Sequence, residues 1–510
     1  MLKSNTHQIS INALFLYLRT GISMLLQLIA VRYLLKFLGE EGYGLYGLVG
    51  SIVAIVASMK GLLSSSIQRF LNIAIGQKRF QDITDIFNAS LLIHISIGLS
   101  LAIFTMAIGI ILIPSLSIPD DYEKQVVWIL VFSALTMGID IISVPYSAIL
   151  ISYERFSSYA MLSILDSILK LVIVILLIFF PFYRVSVYSG LLFVVAVIMR
   201  STYVLVVRKH FSSIVKVQKI NNRKYLKELS VFAGFKGLGT ISNAIQNSGL
   251  NFILNIFGGL LVNTARTISY QVLTAVNVLV WNINAAFVPR IITLYGENKI
   301  KEYTDLVIRM TKFTFAINIV NAFSISLLID PILKFWLGTI PPFTSGFVIL
   351  IFFYAISRSF IDSIDAVFSA EGKIRGFQFL LVLCMIITLA ISWFFLKLGY
   401  SCYWPFIIMS ISELLTCLMC YILAYKITSF DVLRLVKEVL LPAGILLVGL
   451  TFIGFYIRSF IPSELNIGLL ILLFIISVSL CSLCTVRILL TKLELNALLV
   501  YFKTIINKFF

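Results

Sequence analysis

The chain has 510 residues, 60% of them hydrophobic and 12% charged, with 41 Phe and a mean hydropathy of +1.03. That is far more apolar surface than a soluble core needs, which excludes a soluble globular domain. The formal net charge of +17 comes without a nucleic-acid-binding motif, and no alternating pattern of about ten residues marks barrel strands.

A hydrocarbon core of about 30 Å takes roughly 20 apolar residues per helix. Runs of that length stand at 11–34, 42–66, 86–113, 124–148, 157–180, 185–208, 229–257, 263–289, 306–333, 344–367, 374–396, 401–425, 438–458 and 466–490. They predict an all-α polytopic membrane protein of about fourteen transmembrane helices. The opening "MLKSNTHQ" leads into an apolar run with no small-residue cleavage site, so the first helix is expected to stay. The longest connection is the basic stretch from Arg208 to Glu228, and no segment has room for a soluble catalytic domain. With a cytoplasmic N-terminus, Arg69, Lys78, Arg79, Arg155, Lys299, Lys301, Lys373, Arg375, Lys426, Arg434 and Lys437 fall on that side. Positive-inside asymmetry thus predicts both termini in the cytoplasm and accounts for most of the net charge.

An internal repeat organises the chain. "GQKRFQDITDIF" from Gly76 aligns with "GENKIKEYTDLV" from Gly296, pairing Arg79 with Lys299, Thr84 with Thr304 and Asp85 with Asp305. Nearly the same offset pairs Arg69 with Arg290, Pro119 with Pro341 and Asp140 with Asp362, and a slightly shorter one pairs Arg19 with Lys236. The expected organisation is an N-lobe over 1–208, a cytoplasmic linker over 209–228, a C-lobe over 229–425, and two extra helices with a cytoplasmic tail over 426–510. Each lobe holds about six helices, an even number, so the repeat is parallel, and transporters of that kind bind cargo between the repeats.

The charges inside the spans narrow the chemistry. Asp166 with Lys170, and Arg358 with Asp362, stand four apart and are expected to neutralise each other locally. Arg32, Arg200 and Arg266 lie close enough to helix ends to snorkel, each taken alone. Arg19 and Lys236 are deeper and have no acid three or four residues away. Polar side chains follow them at helical spacing: Ser23 and Gln27 after Arg19, Asn243 and Asn247 after Lys236, and Tyr270, Thr274, Asn277, Trp281 and Asn284 after Arg266. Such stripes also glue helices together, but two symmetric cations favour a water-filled cationic cavity. Arg suits phosphate oxygens, and amides and rings suit sugars, so the stripe fits a phosphate-bearing glycan. Asp140 and Glu413 are the ion-coupling candidates, for Na+ or H+, unless each pairs with a base on a neighbouring helix.

Other features read as structural. Cys417 with Cys420 and Cys481 with Cys484 sit in apolar helices without His or carboxylate neighbours, so no metal is expected. His94 reads as a packed side chain, and the acidic "PDDYE" at 119–123 as a solvated turn rather than the site of a polyprenyl-sugar polymerase or ligase.

About fourteen helices in parallel repeat, an Arg within the first, and the "SSSIQRFLNIAIGQKRFQD" connection resemble the Wzx-type polysaccharide flippases of the multidrug, oligosaccharidyl-lipid and polysaccharide exporter superfamily. The resemblance implies turning an undecaprenyl-diphosphate-linked oligosaccharide (O-antigen, capsule or exopolysaccharide) from the cytoplasmic to the periplasmic leaflet of a bacterial inner membrane. It implies a non-enzymatic monomer without cofactor, partnered by lipids and by polymerase or ligase enzymes. Arg19, Lys60, Lys236, Arg266 and Arg290 would be cavity candidates, and 438–490 would face the lipid tail. A cation-coupled multidrug exporter of the same superfamily is the alternative; the first helix, having no acid between Lys3 and Glu40, weighs against it.

Overall fold

The computed structural model describes residues 2–57, 79–153, 155–212, 224–462 and 465–489, with single positions between 64 and 77 and at 214 and 215. In chain order the helices are α1 (Leu2–Ala57), α2 (Phe80–Leu112), α3 (Glu123–Ser152), α4 (Phe156–Leu176), α5 (Arg184–Phe211), α6 (Lys224–Gly296) and α7 (Ile300–Leu327). There follow α8 (Ile329–Leu337), α9 (Thr344–Glu371), α10 (Ile374–Lys397), α11 (Trp404–Ile427), α12 (Leu441–Arg458) and α13 (Ile467–Leu489). A short helical turn, Val432–Leu435, and a π-helical turn, Val436–Leu440, lead into α12.

Twelve helices among the described residues are long and apolar enough to cross a membrane. Two of them are each a pair of helices. The first, α1, bends at Gly39 (φ 74°, ψ 173°), and α6 bends at Gly259 (φ 70°, ψ −171°). That backbone region is open essentially to glycine alone. Split at their bends, the twelve give fourteen membrane segments, the number the apolar runs predict.

The repeat is written into the backbone. The two bend glycines stand 220 residues apart, as do the starts of α2 and α7 and of α5 and α11. The residues leading into α2 and α7 are Arg79 (φ −90°, ψ 79°) and Lys299 (φ −86°, ψ 64°). Those leading into α4 and α10 are Arg155 (φ −80°, ψ 54°) and Lys373 (φ −93°, ψ 42°). In each half the same local chain geometry recurs at the same point.

The chain divides into two compact units, Met1–Thr264 and Ala265–Phe510. In the first, α2 and α3 touch through glycines. A Cβ on Gly98 would lie 2.9 Å from the Gly138 carbonyl oxygen, the close approach that membrane helices use where no hydrophobic force drives association. Three amides brace the Gly259 bend. Asn263 donates to Asn251 Oδ1 (2.7 Å), Asn255 donates to Asn263 Oδ1 (2.9 Å), and Asn255 Oδ1 accepts from the Ser117 N–H (3.0 Å). All three are buried, so in lipid their mutual bonds take the place of water.

In the second unit α7, α9 and α11 pack on aromatics. Phe315 stacks on Phe360 at 5.3 Å, and Phe347 meets Phe406 at 4.2 Å. Asn318 Nδ2 and Tyr421 Oη donate to the Ala355 and Phe360 carbonyls of α9, a direct polar tie across helices.

Candidate functional site

In the first unit the polar side of α1 faces α4. The Arg19 guanidinium lies 5.2 Å from the Tyr159 ring centre and donates to Thr20 Oγ1 at 3.4 Å. Among the described residues no carboxylate comes within ion-pair distance of it. One turn on, Ser167 Oγ donates to Ser23 Oγ at 3.0 Å and holds the two helices in register. The next turns of α4 carry Asp166 and Lys170, paired at 2.7 Å as the spacing predicts. These side chains are 32% and 47% exposed although they sit mid-span. Paired in this way, the two charges lower the several kcal/mol that either alone would cost in hydrocarbon.

Asp140 of α3 lines a cavity of about 300 Å³ with Tyr46, Ser133, Thr136 and Ser189. Lys170 is within electrostatic reach of it. A carboxylate with four hydroxyl-bearing neighbours has the hard oxygen donors that a proton or a small cation requires. On α5, Arg200 lies 4.0 Å over the Tyr146 ring, a cation–π contact that sequence spacing does not reveal.

In the second unit Arg358 of α9 is the hub. Its Nε donates to Asp362 at 3.1 Å, the predicted pair, and a terminal nitrogen donates to Glu413 of α11 at 3.0 Å. Glu413 is buried, and Arg358 is the base on a neighbouring helix with which it pairs. Arg266 does not snorkel: it is 6% exposed and lies 4.1 Å over Tyr270, whose hydroxyl approaches Met409 Sδ at 3.7 Å. The polar stripe beyond it stays open, with Asn277 half-buried and Trp281 57% exposed. Arg290 is exposed at the end of α6, 3.8 Å from Glu297. There Lys299, bonded to Glu297 at 2.8 Å, holds that carboxyl below its ordinary pKa, and the lysine in turn is raised. Lys60 lies outside the described residues, as do the side chains of Lys236 and Asn243.

Among the described residues no three His, Cys, Asp or Glu side chains come together as a metal site. Cys417, Cys420 and Cys481 are free and buried, Cys484 free and exposed.

No protein-family model matches the chain, and no curated protein matches it. Solved structures do. The inward-facing conformation of a multidrug resistance MATE family transporter of the MOP superfamily superposes with a TM-score of 0.68 at 15% identity, covering 82% of this chain and 99% of that one. The outward-facing conformation of such a transporter gives 0.57 at 17% identity, covering 84% and 96%. A MOP superfamily transporter from Pyrococcus furiosus Vc1 (DSM3638), for which reverse polarity of the binding pocket suggests a different function, gives 0.58 at 15% identity, covering 84% and 95%. The chain is thus a multi-pass membrane protein with the two-lobed fold of these transporters.

Proposed function

We propose that the protein is a membrane exporter working by alternating access. The observation that carries this is the match of fold to transporters solved both inward-facing and outward-facing, over nearly their whole length. Of the two cargo readings, a multidrug exporter is the better backed by the comparisons, since the transporters matched include multidrug resistance members. Asp140, in its hydroxyl-lined cavity, is then the carboxylate for a coupling proton or sodium ion.

The second reading is flipping of an undecaprenyl-diphosphate oligosaccharide in a bacterial inner membrane, with both termini cytoplasmic. One observation favours it: the acids Asp166, Asp362 and Glu413 are tied to bases, while Arg19 lies on an aromatic ring. Acids already neutralised within each unit suit anionic and sugar-bearing cargo better than a cationic drug.

The test uses the purified protein in liposomes with two cargoes in parallel. Expulsion of a cationic dye driven by a proton or sodium gradient supports the multidrug reading. Transfer of a fluorescent undecaprenyl-diphosphate oligosaccharide between leaflets, without dye expulsion, establishes the flippase. Neither activity in a folded protein overturns the transporter proposal.

A further inference from the structure

The second unit holds an apolar groove of about 290 Å³ between α7, α9 and α12, walled by Phe323, Phe352, Phe353, Leu450, Thr451 and Gly454. Along α12 it runs from Leu447 to Arg458, which at 1.5 Å per residue is about 16 Å. That is close to half of a hydrocarbon core of about 30 Å, the depth of one leaflet. At its end, where the helix leaves the apolar region, Arg458 pairs with Asp330 of α8 at 2.7 Å, and Ser345 donates to the other Asp330 oxygen at 2.6 Å. Both charged side chains are about one third exposed (32% and 33%).

We infer that this groove is a binding site for one bilayer phospholipid of zwitterionic, amine-bearing headgroup, a phosphatidylethanolamine. One acyl chain lies along α12, the phosphate meets Arg458 and the ammonium meets Asp330. The length matches a chain from one leaflet, and the charges match in sign and order. Among the described residues Arg458 commits one of its five N–H donors, so the others are available to phosphate oxygens. A carboxylate with two oxygens accepts more bonds than the two that Asp330 receives, which leaves room for an ammonium. An anionic headgroup fits less well, because Asp330 already offsets the arginine and repels a second negative charge.

The experiment is native mass spectrometry of the full chain in detergent, with equimolar phosphatidylethanolamine and phosphatidylglycerol of identical acyl chains. The wild type is expected to retain one phosphatidylethanolamine in about fivefold preference, the factor expected of one charged contact at a membrane surface. Asp330→Asn with Arg458→Gln is expected to bring the ratio to about one while lipid is still retained. Thr451→Trp, which fills the groove and leaves the charges in place, is expected to lose the retained lipid. Equal retention of the two lipids by the wild type, or a preference for phosphatidylglycerol, overturns the inference without recourse to any variant. Unchanged lipid retention by Thr451→Trp overturns the location.

Discussion

Arg358 and Glu413, 55 residues apart in the chain, meet at 3.0 Å between α9 and α11, with Asp362 completing the cluster at 3.1 Å. One guanidinium thus answers two carboxylates, of which Glu413 is the more deeply buried. The consequences of removing each member are unequal.

Arg358→Leu strands two acids in a low-dielectric site and is expected to cost about 3 kcal/mol or more, the range for breaking a buried pair from one side. Glu413→Leu leaves Arg358 with Asp362 and is expected to cost about 1 kcal/mol. Thermal unfolding of the two variants in detergent gives the order. Equal losses would show that Arg358 is no more the hub of the cluster than Glu413, and a larger loss in Glu413→Leu would make Glu413 the member on which the others depend.

Arg19→Ala, alone or with Lys236→Ala, is expected to lower transport of a diphosphate-bearing cargo by at least about tenfold at unchanged membrane levels, with Arg19→Lys keeping part of it. The motive is the place of Arg19 over Tyr159 with no described carboxylate beside it. Leaflet-transfer rates in liposomes measure this, and full activity in the double alanine variant would remove Arg19 from the cargo path.

Gly39→Ala and Gly259→Ala test the bends. Nothing lies within 4 Å of a Cβ built at either position, so any loss comes from backbone conformation and not from a clash. A loss of about 1–3 kcal/mol is expected at each. Thermal midpoints that match the wild type would mean that both bends relax freely to a conformation alanine tolerates.

Asn263→Leu removes the amide that joins Asn251 and Asn255 behind the Gly259 bend. Two buried polar groups lose their partner, and a cost of about 2 kcal/mol is expected. Asn247→Leu on the same helix serves as the comparison in the same unfolding assay. If Asn263→Leu were the milder of the two, the three-amide brace would not be what holds the bend.

The sequence by itself determined the fold class, because a helix must span a layer of fixed thickness with apolar residues, and that constraint acts on each segment separately. It also showed the repeat, through Gly76 and Gly296 and the charged residues after them. The local pairs Asp166–Lys170 and Arg358–Asp362 were legible for a like reason: four residues apart on a helix are neighbours whatever surrounds them. What only the tertiary structure decided are the contacts between helices. Glu413 found Arg358, Arg200 found Tyr146, and Arg266 turned inward onto Tyr270 instead of reaching for the surface. The bends at Gly39 and Gly259 belong here too: many glycines stand in these helices, and among the described residues these two are the ones with positive φ inside a helix. Spacing along one helix fixes which side chains share a face. Which face meets which neighbour depends on how the helices cross, and that is set by the packing of all of them together.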